Sequence, residues 1–179
     1  MPMINEPGFA NILSGPVAQP NMPSDPCTIY DWLVRAGVHG FYPNFRPWFF
    51  GRVIPGLHSG ERHIVTTYVE GALAGIAICK RSEAEHKLCT LWVEPALRER
   101  GVAKSLARYA FDWLDSDRPL FTVPEERIAE FAGLLRVWSF SAPRTYPSLY
   151  RSNRVEYVFN GPVGISVNDR TTTGFRAST

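Results

Sequence analysis

Cysteine is scarce in this sequence: three in 179 residues, Cys27, Cys79 and Cys89. An odd number without metal-ligand spacing argues against both a disulfide framework and a structural metal site. Net charge is also small. Nineteen Lys and Arg face 17 Asp and Glu, a balance of +2. That is too even for a chain living mainly on electrostatic attraction to nucleic acid. No basic residue precedes Arg35, so the N-terminus lacks the basic region of a secretory signal. No apolar run approaches the ~20 residues of a membrane span. A soluble, cytoplasmic, metal-free protein is the expectation.

Proline is plentiful instead. Of 15, six (Pro2, Pro7, Pro16, Pro20, Pro23, Pro26) fall in the first 26 residues. Proline supplies no amide donor and keeps its predecessor out of the helical region, so residues 1–26 read as an extended arm. The arm either covers an acceptor cleft or joins two chains as a homodimer. Residues 161–179 carry few large apolar side chains and read as a loosely attached tail, leaving 27–160 as the folded unit.

Within that unit, Thr28 and Asp31 have capping-box spacing. The helix expected behind them, about 29–36, would bury Ile29, Trp32, Leu33 and Ala36 and stop at Gly37. The aromatic segment 41–57 carries a short helix near 46–54, with aromatics serving either as core or as the wall of an acceptor pocket. From His63 the period becomes two. Strands 63–70 and 73–81 flank the tight turn Glu70-Gly71, and 87–93 is a third strand. A helix at about 101–115 follows, with Val102, Leu106, Ala110, Trp113 and Leu114 on one face. A strand (120–123), a helix (125–138) and two candidate strands (140–142 and 155–160) complete a mixed α/β pattern.

The segment richest in chemistry is Leu88–Ala103. An apolar strand runs into Pro95, and the basic loop Arg98-Glu99-Arg100-Gly101 opens an amphipathic helix at Val102-Ala103-Lys104. Such a loop aims free backbone N–H groups at one spot, backed by the helix dipole, and so suits an anion such as phosphate. Gly101-Val102-Ala103-Lys104-Ser105 superficially suggests a nucleotide P-loop. That motif needs glycine where Ala103 and Arg98 stand, so this reading fails.

Arg98-x-x-Gly101-x-Ala103, placed between the strand Leu91-Trp92-Val93 and a helix, resembles the acetyl-CoA signature Arg/Gln-x-x-Gly-x-Gly/Ala of the GCN5-related N-acetyltransferases. The resemblance covers about residues 63–160 in element order, with the two N-terminal helices on the acceptor side. It implies a mostly antiparallel sheet with two strands splayed apart and helices on both faces. It further implies coenzyme A pyrophosphate on the backbone of Arg98–Lys104 and pantetheine along Leu91–Val93. An oxyanion donor would be a backbone N–H near Val93. A donor tyrosine usual in the family falls at Leu135, where the pattern Tyr-x-x-x-Gly-Phe is reduced to Phe140 with Ser139 for glycine. Tyr146 and Tyr150 are the nearest substitutes. For the base, Glu94, Glu83, Glu85, His86 and His63 all sit on elements near the acceptor side, with Glu94 taken as the candidate.

Arg136, Arg144, Arg151 and Arg154 occur with Trp138, Phe140, Tyr146 and Tyr150 in a stretch without acidic residues between Glu130 and Glu156. Arginine interleaved with aromatics grips flexible nucleic acid, while the plainer alternative is a solvated face. Three functions are therefore open: acetyl-CoA-dependent acetylation of a small or protein-borne amine, the same chemistry on a nucleic-acid-borne amine, and a non-catalytic acyl-CoA-binding module.

Overall fold

The computed structural model describes residues 25–163 and the two-residue strand β1 (Ala18–Gln19). The remaining arm and the tail beyond residue 163 lie outside the described residues. Helix α1 (Pro26–Arg35) starts earlier than the capping-box spacing suggested. Pro26 occupies its first turn, Asp25 holds the cap position without a side-chain bond, and Thr28 is already helical. Proline's fixed φ favours that first position, where its missing N–H costs no bond. Gly37 ends the segment at φ +77°.

The aromatic segment is helical for longer than expected. It runs through α2 (Phe45–Trp48), a wide π turn (Phe49–Val53) and α3 (Ile54–Ser59). Pro55 explains the wide turn: without an N–H it cannot make its helical bond, and the π turn just before it absorbs the mismatch.

Strands β2 (Arg62–Val69) and β3 (Ala72–Arg81) are joined by Glu70-Gly71, both at positive φ (51° and 81°), the geometry of a tight hairpin turn. After β4 (His86–Val93) come α4 (Val102–Leu114), β5 (Leu120–Pro124), a 3-10 turn (Glu125–Arg127) and α5 (Ile128–Val137). Strands β6 (Arg144–Pro147) and β7 (Val155–Phe159) close the fold.

A strand expected at 140–142 does not form. The chain turns at Ser139 (φ 53°), and the Phe140 ring packs against Trp138 and Phe111. Ladder pairing begins only after Pro143, at β6.

The described residues build a seven-stranded sheet in the order β1-β2-β3-β4-β5-β7-β6. All neighbours are antiparallel except β4 and β5. Helices α4 and α5 cover one face, over a core of Val65, Ala77, Leu88, Leu106, Leu114, Phe121 and Phe159. The other face carries α1 to α3, with Ile29, Leu33, Phe45, Phe49, Ile76, Ile78 and Trp92. Each of the branched and aromatic side chains among them, fully buried, stabilises by ~1.5–3 kcal/mol. Strand β1 lies on the β2 edge, pairing at Thr66 and Thr67, away from the β4–β5 junction.

Candidate active site

Strands β4 and β5 pair at only two positions, Lys87 with Leu120 and Leu88 with Phe121, and then separate. The departure coincides with a bulge. Opposite β3, Leu88 faces Cys79 and Thr90 faces Ile78, so Cys89 has no partner. A bulge bends and twists its strand, which turns β4 away from β5.

Beyond the bulge, the Glu94 N–H donates to Ala74 O at 2.9 Å on β3. Backbone direction alternates along a strand. Trp92 therefore also faces β3 with its backbone, while the N–H and C=O groups of Leu91 and Val93 face the gap. The Trp92 side chain packs edge-on to Trp32, ring centroids 4.0 Å apart. Within the wedge is a small cleft enclosing about 50 Å³, lined among others by Tyr42, Cys89, Leu91, Thr122 and Arg127.

One end of this edge is the loop ahead of α4. Gly101 takes φ +83° at the cap position, and no side chain caps the helix. Val102, Ala103 and Lys104 thus open the helix with N–H groups that have no intrahelical acceptor. Glu99 is also left-handed, at φ 62°. Glu99, Arg100, Gly101 and Lys104 are exposed, Ala103 is half-buried, and the Val102 side chain is buried as the anchor. A Cβ built on Gly101 would meet open space, so the approach to these amides is clear. The helix start is held close to the sheet by Gly75 on β3. A Cβ there would lie 2.8 Å from Leu106 Cδ1 and 2.9 Å from Trp92 O. Arg98 reaches back across the wedge: Nε donates to Val93 O at 3.4 Å and Nη1 to Glu130 Oε2 of α5 at 2.8 Å. Chemically, this end offers open amides and basic side chains that can cradle an anion beside an open strand edge.

The other end holds a polar cluster. Tyr150, in the loop before β7, accepts a hydrogen bond from Lys87 Nζ at 3.1 Å, and its ring stands edge-on to Tyr42 at 5.5 Å. The Lys87 pKa is raised: burial opposes its charge, but Tyr150, Cys89 and Glu85 together outweigh burial. Tyr42 is pushed well above its ordinary value, first by burial and then by Glu156, Tyr150 and Cys89. Arg62 Nη1 donates to Cys89 Sγ at 3.5 Å.

Glu156 of β7 is 1% exposed, and neither carboxylate oxygen has a hydrogen-bond partner. Burial pushes its pKa up to about 7. Arg151 and Lys87 pull the other way, while Glu126 and Glu125 add to the rise. Tyr146 of β6 is its cross-strand partner, so the two side chains share a face.

The structure brings Tyr146 and Tyr150 into one region with Lys87, and leaves Glu94 elsewhere. Glu94 closes β4 at the cradle end, roughly 20 Å along the strand from Lys87 at ~3.3 Å per residue. The remaining base candidates do not line the cleft. Glu85 pairs with Lys80 at 3.0 Å, and His63 stacks on Trp113, its pKa lowered by burial.

The arginines read as a nucleic-acid stretch are partly committed. Arg151 holds both carboxylate oxygens of Glu126, at 3.0 and 2.7 Å, and lies over the Phe41 ring. Arg154 faces Glu125 and Glu126. Arg136 and Arg144 are exposed on separate elements. Among the described residues, no helix is long and apolar enough to cross a membrane, and no group of three or more His, Cys, Asp or Glu could hold a metal ion.

Sequence reasoning missed Tyr42, Lys87 and Glu156 as members of one cluster. One signal was present: Glu156 is the single charge inside the apolar strand Val155–Phe159.

No curated protein matches the chain. Solved structures do. A protein from Desulfovibrio desulfuricans described as a GNAT-family acetyltransferase superposes with a TM-score of 0.58 at 18% identity, covering 79% of this chain and 94% of that one. An aminoglycoside 6'-N-acetyltransferase complexed with coenzyme A gives 0.56 at 11% identity, covering 80% and 94%. The PaiA N-acetyltransferase of Thermoplasma acidophilum, also with coenzyme A, gives 0.54 at 12%, covering 79% and 96%. At these identities the superpositions establish the fold, a mixed sheet with splayed strands flanked by helices. The profile of the acetyltransferase (GNAT) family matches residues 27–139, from the start of α1 to the end of α5. The chain belongs to the GNAT acetyltransferase family.

Proposed function

We propose that this acetyltransferase is an acetyl-CoA-dependent N-acetyltransferase that modifies a primary amine. The observation that carries the reading is continuity. The open edge of Leu91 and Val93 runs from the amide cradle at α4 to the Lys87–Tyr150 cluster, with the cleft between. Two proteins of this fold were solved with coenzyme A bound, which supports the reading.

Acetyl-CoA would supply an activated thioester, open to attack by a neutral amine. The N–H groups of Val102 to Lys104 and the open approach at Gly101 suit its phosphates, and Arg98, Glu99 and Arg100 frame the loop. The outward N–H and C=O groups of Leu91 and Val93 suit the amides of the pantetheine arm. With the Glu94 N–H already bonded to Ala74, an oxyanion donor comes from an N–H facing the gap, and Leu91 and Val93 provide two.

Tyr150 holds a proton at Oη for the departing sulfur. Lys87 can only donate, so it occupies an Oη lone pair and leaves the tyrosine proton free to point elsewhere. The commitment of Arg151 and Arg154 to glutamates favours a small or protein-borne amine over one carried on nucleic acid.

Calorimetry with coenzyme A on wild type and Gly101→Glu tests the premise. Wild type binds, and the substitution, which puts a carboxylate at the cradle, abolishes binding. A wild-type protein that takes up no coenzyme A would overturn the assignment. Transfer from acetyl-CoA to a panel of primary amines then separates an enzyme from a binding module.

A further inference from the structure

We propose that the acceptor of this transferase is an α-amino acid, and that Arg62 recognises its carboxylate. The inference rests on the acetyltransferase reading above and names the substrate class of that site. Arg62 opens β2, and its side chain runs against α3. Gly56 of α3 makes room for it: a Cβ there would lie 2.7 Å from both Cγ and Cδ of Arg62. The guanidinium lies over Trp48, 5.6 Å from the ring centroid, and Nη1 donates to Cys89 Sγ at 3.5 Å.

Cys89 lines the cleft, so these contacts set a cation beside one wall of it. Sulfur is a weak acceptor, and it is the only hydrogen-bond partner of the Arg62 side chain among the described residues. Nε and Nη2 are a side-by-side pair of donors without a partner. Unlike Nε of Arg127 and of Arg151 they are not buried, so a ligand can reach them.

The charge around them is unbalanced. Arg98 and Arg127 hold Glu130, and Arg151 and Arg154 hold Glu126, whereas half-buried Arg62 joins no ion pair among the described residues. Lys87, two residues before Cys89 on β4, is also half-buried, and its Nζ bonds a phenol oxygen rather than a carboxylate. The acids of this end are not bonded to either cation: Glu85 pairs with Lys80, and the Glu156 oxygens have no hydrogen-bond partner. Two half-buried cations flanking one thiol carry a desolvation cost that a bound anion offsets.

A planar carboxylate matches the Nε–Nη2 fork, and the stack on Trp48 fixes the plane of that fork. An α-amino acid holds its nitrogen one carbon from its carboxylate. A carboxylate on Arg62 therefore brings the amine to the Cys89 end of the cleft, opposite the end from which the cofactor enters at α4. Nearby positive charge disfavours an ammonium, so the same cations favour the neutral, nucleophilic amine. In the transfer the amine lone pair forms the C–N bond as the C–S bond breaks, its electron pair leaving with sulfur. The amine loses one proton and the sulfur gains one, so the products are the N-acetyl amino acid and coenzyme A.

The test compares acetyl transfer to the common amino acids with transfer to their carboxamides, which keep the amine and side chain and lose the charge. In wild type, kcat/KM for the best amino acid is expected to exceed that for its amide by about 50-fold, the worth of a charge-assisted bond read as a rate ratio. Arg62→Met keeps an unbranched stem against Gly56 and removes the charge. It is expected to erase the preference, bringing acid and amide to within about threefold of each other, with the loss on the acid carried by KM.

A wild-type protein that acetylates the amides as well as the acids overturns the proposal, a result that stands even where the methionine variant fails to fold. So does a wild type that binds coenzyme A and acetylates none of the amino acids. An Arg62→Met protein that loses acid and amide alike, and so keeps the preference, overturns the role of Arg62 in recognition and makes it a structural residue. Wild type that binds no coenzyme A sinks the acetyltransferase reading itself.

Discussion

Lys87 Nζ lies 3.1 Å from Tyr150 Oη, tying the start of the splayed strand to a loop 63 residues later. An ammonium offers only donors, so this contact sets which way the tyrosine proton can point. Tyr150→Phe removes that proton and leaves the ring against Tyr42. The expected outcome is a fall in kcat of about 10²-fold, in the usual range for a lost general acid. Coenzyme A affinity by calorimetry should be unchanged. A variant with wild-type kcat would remove Tyr150 from the mechanism.

Glu156 also makes stability depend on pH. Its folded pKa of about 7 exceeds the ordinary 4.5, so between those values the folded state binds more protons than the unfolded one. Folding is therefore favoured at low pH and loses stability as pH rises from about 4.5 to 7, with the full penalty above 7. That penalty is on the order of 3 kcal/mol. Glu156→Gln should be more stable than wild type in urea melts at pH 8, and the gap should close at pH 4.5. Equal stability at pH 8 would contradict the buried, unpaired carboxylate.

Gly75 sets how closely α4 approaches the sheet. An added Cβ would press on Leu106 Cδ1, Val102 Cγ1 and the Trp92 carbonyl. Gly75→Ala is expected to cost ~1–3 kcal/mol, typical of overpacking, and to lower Tm. The clash falls on Val102, at the opening of α4, so coenzyme A binding should weaken as well. Ala77, its neighbour two residues on in the same strand, already carries a Cβ and serves as the control for tolerance of alanine here.

Arg98 bridges Val93 O and Glu130 across the wedge that pantetheine would follow. The ion pair is partly exposed, so breaking it costs only ~0.2–1 kcal/mol. Glu130→Gln should release the guanidinium and tighten coenzyme A binding up to about fivefold, most visibly at low salt. Weaker binding in calorimetry would show that Glu130 supports the site rather than competing for Arg98.

Arg151 anchors the loop that carries Tyr150. It grips Glu126 with two bonds and lies over Phe41, which Arg127 also faces at 5.2 Å. Lysine cannot reproduce a planar two-bond grip. Arg151→Lys should therefore lower kcat at least tenfold through Tyr150 misplacement, with coenzyme A affinity retained. Unchanged kcat would mean that the loop is held by other contacts.

Much of this fold was legible in the sequence because its signals are local. The alternation in β2 to β4, the Glu70-Gly71 turn and the amphipathic period of α4 depend on neighbours in the chain. So does the cradle: Gly101 at positive φ and three open amides follow from a glycine placed just before a helix. Where expectation and structure parted, a proline or a packing choice decided. Pro26 began α1 early, Pro55 widened the helix before it, and Phe140 joined a cluster of rings rather than a ladder.

The polar cluster was not legible, for a physical reason. Tyr42, Lys87, Tyr150 and Glu156 lie on four segments, and their ionisation depends on burial and on one another's charges. Neither property belongs to any residue alone. By itself the sequence determined the glycine-opened start of α4, most of the order of elements and the family pattern. Only the tertiary structure decided that β4 leaves β5 after Leu88, that Glu94 stands at the far end from Tyr150, and that Glu156 is sealed without a partner. Those outcomes come from a bulge, a register and the closing of a loop, all of them long-range pairings that local sequence does not encode.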